Sequence, residues 1–182
     1  MRYSVDQLIQ KNKEWKKDDF LFFWGHRPGR KVTKTCFSQW YEIDFEVDGH
    51  KYNCAEQYMM AQKAWLFKDY EIFGRILDAT DPQEIKALGR EVRNFEPNKW
   101  NENKFRIVVK GNLGKFGGNP ELKDFLLSTG DKIIVEASPY DKIWGIGMKD
   151  GTPGIENPVN WKGENLLGFA LMEVRDLLMH NT

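Results

Sequence analysis

Apolar residues along the chain recur with two periods, and the change from one to the other marks out most of the elements. Val5, Leu8 and Ile9 share one face of a short helix, after which Phe20-Leu21-Phe22-Phe23-Trp24 reads as an aromatic strand. Ile43-Asp44-Phe45-Glu46-Val47 alternates with period two. Asp48-Gly49 then supplies a hairpin turn into His50-Lys51-Tyr52. Asn53 opens a helix that runs to about Phe67, with Glu56 three residues on as its capping partner. Asp81-Pro82-Gln83-Glu84 is a second helix start, followed by the stripe Ile85, Leu88, Val92 and ended by Pro97. Trp100, Val108 and Phe116 mark a further helix. Asn119-Pro120 opens another, which carries Leu122, Phe125 and Leu126 and stops at Gly130. Ile133-Ile134-Val135 is a buried strand, and Leu167, Leu171, Val174 and Leu178 form a closing helix. The expected fold class is α+β: one helix-rich domain around a small sheet, without βαβ alternation. Residues 1–19 form an N-terminal helical extension and 20–182 the domain proper.

At 182 residues the chain is long enough for one domain with a genuine core. The 27 Lys+Arg balance 27 Asp+Glu, which argues against a broad cationic surface for nucleic acid or membrane. The balance is global but not local. Residues 1–35 carry nine cations and four anions, 36–90 six and ten, 91–120 six and three, and 121–182 six and ten. A basic opening and a basic middle therefore remain available to converge on an anionic ligand. Cys36 and Cys54 form no CxxC and read as free thiols of a reducing compartment. With no apolar leader and no apolar run near the ~18–20 residues of a span, a cytoplasmic protein is expected. The 12 Phe, 7 Trp and 6 Tyr make up 14% of the chain; most belong to a core, but seven tryptophans, large and rarely fully buried, raise the question of a planar ligand.

His26, His50 and His180 are scattered, and no HExxH, P-loop, GxGxxG or GxSxG occurs, so neither a metal nor a cofactor is expected. The helix from Asn53 is more informative. Glu56 and Lys63 fall within ~20° of each other and ~10 Å apart along its axis, on two rungs of one face beside Met59 and Met60. A lysine flanked by apolar groups is a better amine nucleophile, because burial disfavours its charged form. The same spacing also fits a solvated surface pair. In Pro139-Tyr140-Asp141-Lys142-Ile143-Trp144-Gly145-Ile146-Gly147, a carboxylate stands beside an indole just after a buried strand. That setting suits positive charge on a sugar ring, and equally a turn aspartate with a packing tryptophan. The long loop 138–160 is of the kind that carries function. The loop 25–35, with Arg27, Arg30 and Lys31, is either a phosphate contact or a mobile insertion.

These residues, with Phe37-Ser38-Gln39-Trp40-Tyr41, Ala55-Glu56-Gln57-Tyr58, Gln62-Lys63-Ala64, Leu88-Gly89-Arg90, Trp100, Lys115-Phe116, Glu136 and Asn165-Leu166-Leu167-Gly168…Arg175, form an ordered series over about 20–178. In this series the chain resembles the NADAR (NAD/ADP-ribose-associated), or YbiA-like, N-glycosidase family. The resemblance implies cleavage of an N-glycosidic bond in phosphoribosylamino-pyrimidine intermediates of riboflavin biosynthesis, releasing ribose 5-phosphate. Two alternatives stay open: removal of ADP-ribose from guanine in nucleic acid, and a non-catalytic NAD- or ADP-ribose-binding module. The implied catalytic positions are Lys63, Glu56 and Asp141. Trp144, Gly145, Arg90, Trp100, Trp24 and Asn165 are the implied substrate-binding positions. The implied partner is a small phosphoribosyl or ADP-ribosyl compound. Nucleic acid enters only under the second reading, and a membrane under none.

Overall fold

A computed structural model describes residues 1–180; the last two positions of the expected domain lie outside the described residues. Its elements in chain order are α1 (Val5–Gln10), β1 (Phe20–Phe23), β2 (Phe45–Val47), β3 (His50–Tyr52), α2 (Ala55–Leu66), α3 (Tyr70–Asp78), α4 (Pro82–Glu91), α5 (Pro97–Gly117), α6 (Pro120–Ser128), β4 (Ile133–Glu136) and α7 (Leu166–His180). The helix-rich α+β class is as the sequence implies, with the strands divided between two small sheets. β2 and β3 form the expected hairpin. Asp48 (φ 53°) and Gly49 (φ 79°) both take the left-handed backbone that a tight two-residue turn demands. β1 pairs in parallel with β4, from Phe20↔Ile133 to Phe23↔Glu136, so two strands far apart in sequence end side by side.

Several local expectations need correction. Glu56 does not cap α2: Cys54 is the N-cap and no side chain bonds there, while Gln57 Oε1 holds the preceding Asn53 N–H at 2.7 Å and Glu56 faces elsewhere. Pro97 does not end α4. That helix stops at Glu91, and Pro97 occupies the first turn of α5, where its missing N–H costs nothing. Between α2 and α4, where the apolar pattern assigns no element, Tyr70–Asp78 is helical. Asp69 caps it through the Ile72 N–H, and Ile72, Phe73 and Ile76 are buried. Asp69 is itself sealed from water and holds Arg93 through both Nε (3.0 Å) and Nη2 (2.5 Å). The segment before β1 is docked on the domain: Leu8 is buried, and the Tyr3 hydroxyl donates to Asp176 of α7 at 2.7 Å.

The core lies between the β1–β4 pair, α7 and α5, where Phe23, Ile134, Val135, Phe169 and Leu171 are almost wholly buried. Burial extends nearly all round the first half of α7, from Leu166 to Met172, which makes it a central helix rather than a one-faced surface one. α7 can sit this close to β4 because position 168 has no side chain: a Cβ on Gly168 would overlap the Ile134 carbonyl oxygen. Gly168→Ala is therefore expected to lower stability by about 1–3 kcal/mol and Tm by roughly 2–12 °C in a thermal melt. A melt at the wild-type temperature would show that the helix shifts without cost.

Candidate active site

Seven segments, Leu167 of α7 among them, converge on one cavity of about 950 Å³, near the upper end of the usual range for small-molecule sites. The parallel pairing of β1 and β4 places the ends of both strands at its edge. Trp24, Gly25 and His26 continue from β1, while Glu136 closes β4 and leads to Ser138, Tyr140 and residues 141–144. α2 supplies Glu56, Met59, Met60 and Lys63, one apolar-flanked face as its periodicity implies. α4 contributes Lys86, Gly89 and Arg90, α5 contributes Trp100, and the segment 38–40 closes the remaining wall.

That last wall is built from polar groups inside the core. Lys115 is fully buried, and its Nζ donates to the carbonyls of Cys36 (2.6 Å) and Ser38 (2.9 Å). Burial pushes its pKa down to about 8. Gln39, also buried, accepts from Asn112 through its side chain at 2.8 Å and from the Glu56 N–H through its carbonyl at 2.8 Å. The turn bearing Trp40 and the first turn of α2 are thereby locked to each other.

Glu56 is 4% exposed. Burial pushes its carboxyl up to about 7, with the Asp141 charge adding to the rise, while Lys86, a Trp40 hydrogen bond and Arg90 act the other way. Lys63 is half-buried. Its Nζ donates to the Gly89 carbonyl at 2.6 Å and lies 4.4 Å from the Phe95 ring and 5.8 Å from that of Trp100. Burial, and behind it the Arg90 charge, moves its pKa down from the ordinary lysine range. Close packing of α4 on α2 is what brings that carbonyl within reach, since a Cβ on Gly89 would overlap the Met60 side chain. Asp141 serves as both turn residue and site residue. Its Oδ1 accepts the N–H groups of Ile143 and Trp144, each at 2.8 Å, and its side chain borders the cavity beside Trp144.

Of the sequence-derived positions, Lys63, Glu56, Asp141, Trp144, Arg90, Trp100 and Trp24 all border this cavity. Gly145 and Asn165 stand behind its wall instead. Gly145 allows close approach: a Cβ there would come within 2.9 Å of the Glu136 carbonyl oxygen. Asn165 is fully buried at φ 53°, donating from Nδ2 to Ile134 O (3.0 Å) and accepting the Glu136 N–H on Oδ1 (3.0 Å). It fixes the end of β4 and makes no part of the cavity surface. Sequence reasoning assigned no role to Glu136, Lys86, His26 or Tyr140, all in the lining. For Glu136 the signals were its place in the family series and a carboxylate at the end of an otherwise apolar strand. Burial pushes it up to about 8, with the Asp141 and Glu56 charges behind that.

A half-buried amine, three interacting carboxylates and indole walls in one cavity suit chemistry at an anomeric carbon. The model of the NADAR domain matches residues 22–179. The chain belongs to the NADAR family of N-glycosidases. N-glycosidase R617 of Acanthamoeba polyphaga mimivirus is 46% identical over 165 residues, which span 87% of this chain and 96% of that protein. The chloroplastic riboflavin biosynthesis protein PYRR of Arabidopsis thaliana is 35% identical over 112 residues, 59% of this chain but 17% of that one. The NMR structure of Escherichia coli YbiA, itself named an N-glycosidase, superposes with a TM-score of 0.71 at 27% identity, covering 91% of this chain and 88% of YbiA. As a NADAR enzyme the protein takes a glycosyl substrate. Among the described residues no helix is long and apolar enough to cross a membrane.

Proposed function

We propose that this NADAR enzyme hydrolyses the C–N bond of phosphoribosylamino-pyrimidines, the early intermediates of riboflavin biosynthesis, giving the aminopyrimidine and ribose 5-phosphate. The observation that carries the reading is Lys63: an amine with depressed basicity, held by the Gly89 carbonyl and sharing its cavity with Glu56, Glu136 and Asp141. An exocyclic ribosylamine opens to an imine, and a neutral Lys63 Nζ adds to its C1. Expulsion of the aminopyrimidine leaves a Schiff base between Lys63 and the sugar. Water adds to that imine, and loss of Lys63 returns the aldehyde, which closes to ribose 5-phosphate. Glu56 takes and returns the protons of Lys63 and water. Asp141, oriented by two backbone N–H groups, stabilises the cationic sugar. Trp144 and Trp100 supply flat walls for the pyrimidine. Arg90, whose guanidinium forms no salt bridge among the described residues, and Lys86 are the phosphate-binding cations. The PYRR likeness supports the same substrate class.

The test is release of ribose 5-phosphate from a ribosylamino-pyrimidine 5′-phosphate by purified protein, beside DNA carrying ADP-ribosyl guanine. Turnover of the DNA alone would transfer the same chemistry to the second substrate, and turnover of neither would leave a binding module. Arg90→Ala is expected to raise KM for the phosphorylated substrate about 10–100-fold, the worth of one or two charge-assisted hydrogen bonds. The dephosphorylated ribosylamine should be unaffected, and an equal loss on both would move Arg90 away from the phosphate.

A further inference from the structure

Glu136 has features that neither nucleophile nor base accounts for. It ends β4 with its backbone N–H held by the Asn165 side chain at 3.0 Å, and its neighbours Ile134 and Val135 are fully buried, so its position is rigid. Its side chain borders the cavity, yet Oε2 is sealed from water and has no hydrogen-bond partner among the described residues. A buried carboxylate oxygen without a partner is costly as an anion and tolerable as a neutral acid. The groups facing it are Asp141 from the loop after β4, Glu56 from α2 and Lys86 from α4. Lys63, Arg90, Lys142 and His26 border the same cavity. Two of its three charged neighbours are acids, and three like-charged groups in one enclosed site do not all ionise together.

We propose that Glu136 is the proton donor to the departing base: its neutral carboxyl hands its proton to the glycosidic nitrogen as the C1–N bond breaks. This rests on the N-glycosidase reading and adds the acid that reading lacks. The bonding electrons of C1–N pass to nitrogen, which takes the Glu136 proton and leaves as the amine, while Glu136 becomes a carboxylate. When water adds to C1, the proton it loses returns through the site to Glu136, so the cycle closes with water as the only reactant consumed. The sealed, unpartnered Oε2 penalises the carboxylate, so the group is driven back to its neutral form between the two half-reactions. Burial and the two acidic neighbours, which hold the group at about 8, keep it protonated at neutral pH.

Two measurements on wild type and Glu136→Gln test this. In protein carrying 13C-labelled glutamate carboxyls, a resonance absent from Glu136→Gln should titrate near pH 8 in the free enzyme. A Glu136 carboxyl already ionised at pH 6 overturns the proposal whatever the substrate proves to be. In the kinetic arm, read on whichever N-glycoside the protein turns over, Glu136→Gln should lower kcat about 100-fold or more with little change in KM. The alkaline decline of the wild-type kcat profile near pH 8 should vanish with it. A substrate whose leaving amine is intrinsically acidic needs less protonation, and should recover most of the loss. Unchanged kcat, or loss without change in the pH profile or the leaving-group dependence, assigns Glu136 a structural role and overturns the proposal. Failure to cleave the ribosylamine while ADP-ribosyl guanine is cleaved refutes the substrate assignment and leaves the acid testable.

Discussion

Lys63→Ala should abolish turnover to the limit of detection, at least about 10³-fold, while leaving the fold intact. The substitution removes the only group in the cavity to which the mechanism assigns a covalent bond with the sugar. It also removes a half-buried amine that among the described residues donates only to the Gly89 carbonyl, so the structural cost is small. A steady-state assay alone would not separate a nucleophile from a cation that steadies the transition state. Borohydride supplies the separation. Reducing the working enzyme should attach the sugar phosphate to Lys63 as a stable amine, located by peptide mass, and Lys63→Arg should be as inactive as Lys63→Ala although it keeps the charge. Recovery of activity in Lys63→Arg, or its retention in Lys63→Ala, would replace the Schiff base with direct attack of water.

The helix face that carries Lys63 was legible in the sequence because it is a local fact. Glu56 and Lys63 share a face by helix geometry alone, and Met59 and Met60 beside them announce burial. Asp48-Gly49 and Asp81-Pro82 were legible for the same reason, since turn and cap chemistry depend on residues within a few positions. What escaped is tertiary. Pairing of β1 with β4 joins segments more than a hundred residues apart, and nothing in either strand names its partner. α3 is short, and the Asp69 that caps it is held by Arg93 from beyond the end of α4. Pro97 is compatible with stopping one helix or starting the next, and only the chain's path decides. In sequence Glu136 is a member of the family series just after a buried strand, with no role attached to it. It faces a cavity only because Asn165 and α7 hold that strand end inward. Asn165 and Gly145 belong to the motif because they build the wall, although neither borders the cavity.

Glu56→Gln should act on activity and on stability in opposite directions. The amide keeps the shape of the side chain but can neither take a proton from Lys63 nor activate water, so kcat should fall about 10²–10⁴-fold. Its effect on stability follows from linkage. The folded protein holds the Glu56 proton up to about 7, against 4.5 for the free side chain. Between those values the native state binds more protons than the unfolded one, so the stability associated with this group is full below 4.5 and is lost as pH rises through 7. Above that point the wild type maintains a buried, ionised carboxylate among other acids, a cost that the neutral amide escapes. Glu56→Gln should therefore be more stable than wild type at pH 8, by on the order of 2 kcal/mol in urea unfolding with unchanged m, and equal to it at pH 4. A variant less stable at pH 8 would mean that Lys86, Arg90 and Trp40 more than offset the desolvation of the carboxylate, and Glu56 would then be a structural ion-pair partner. A variant more stable and inactive would show that the cavity keeps an unfavourable charge because catalysis needs one there.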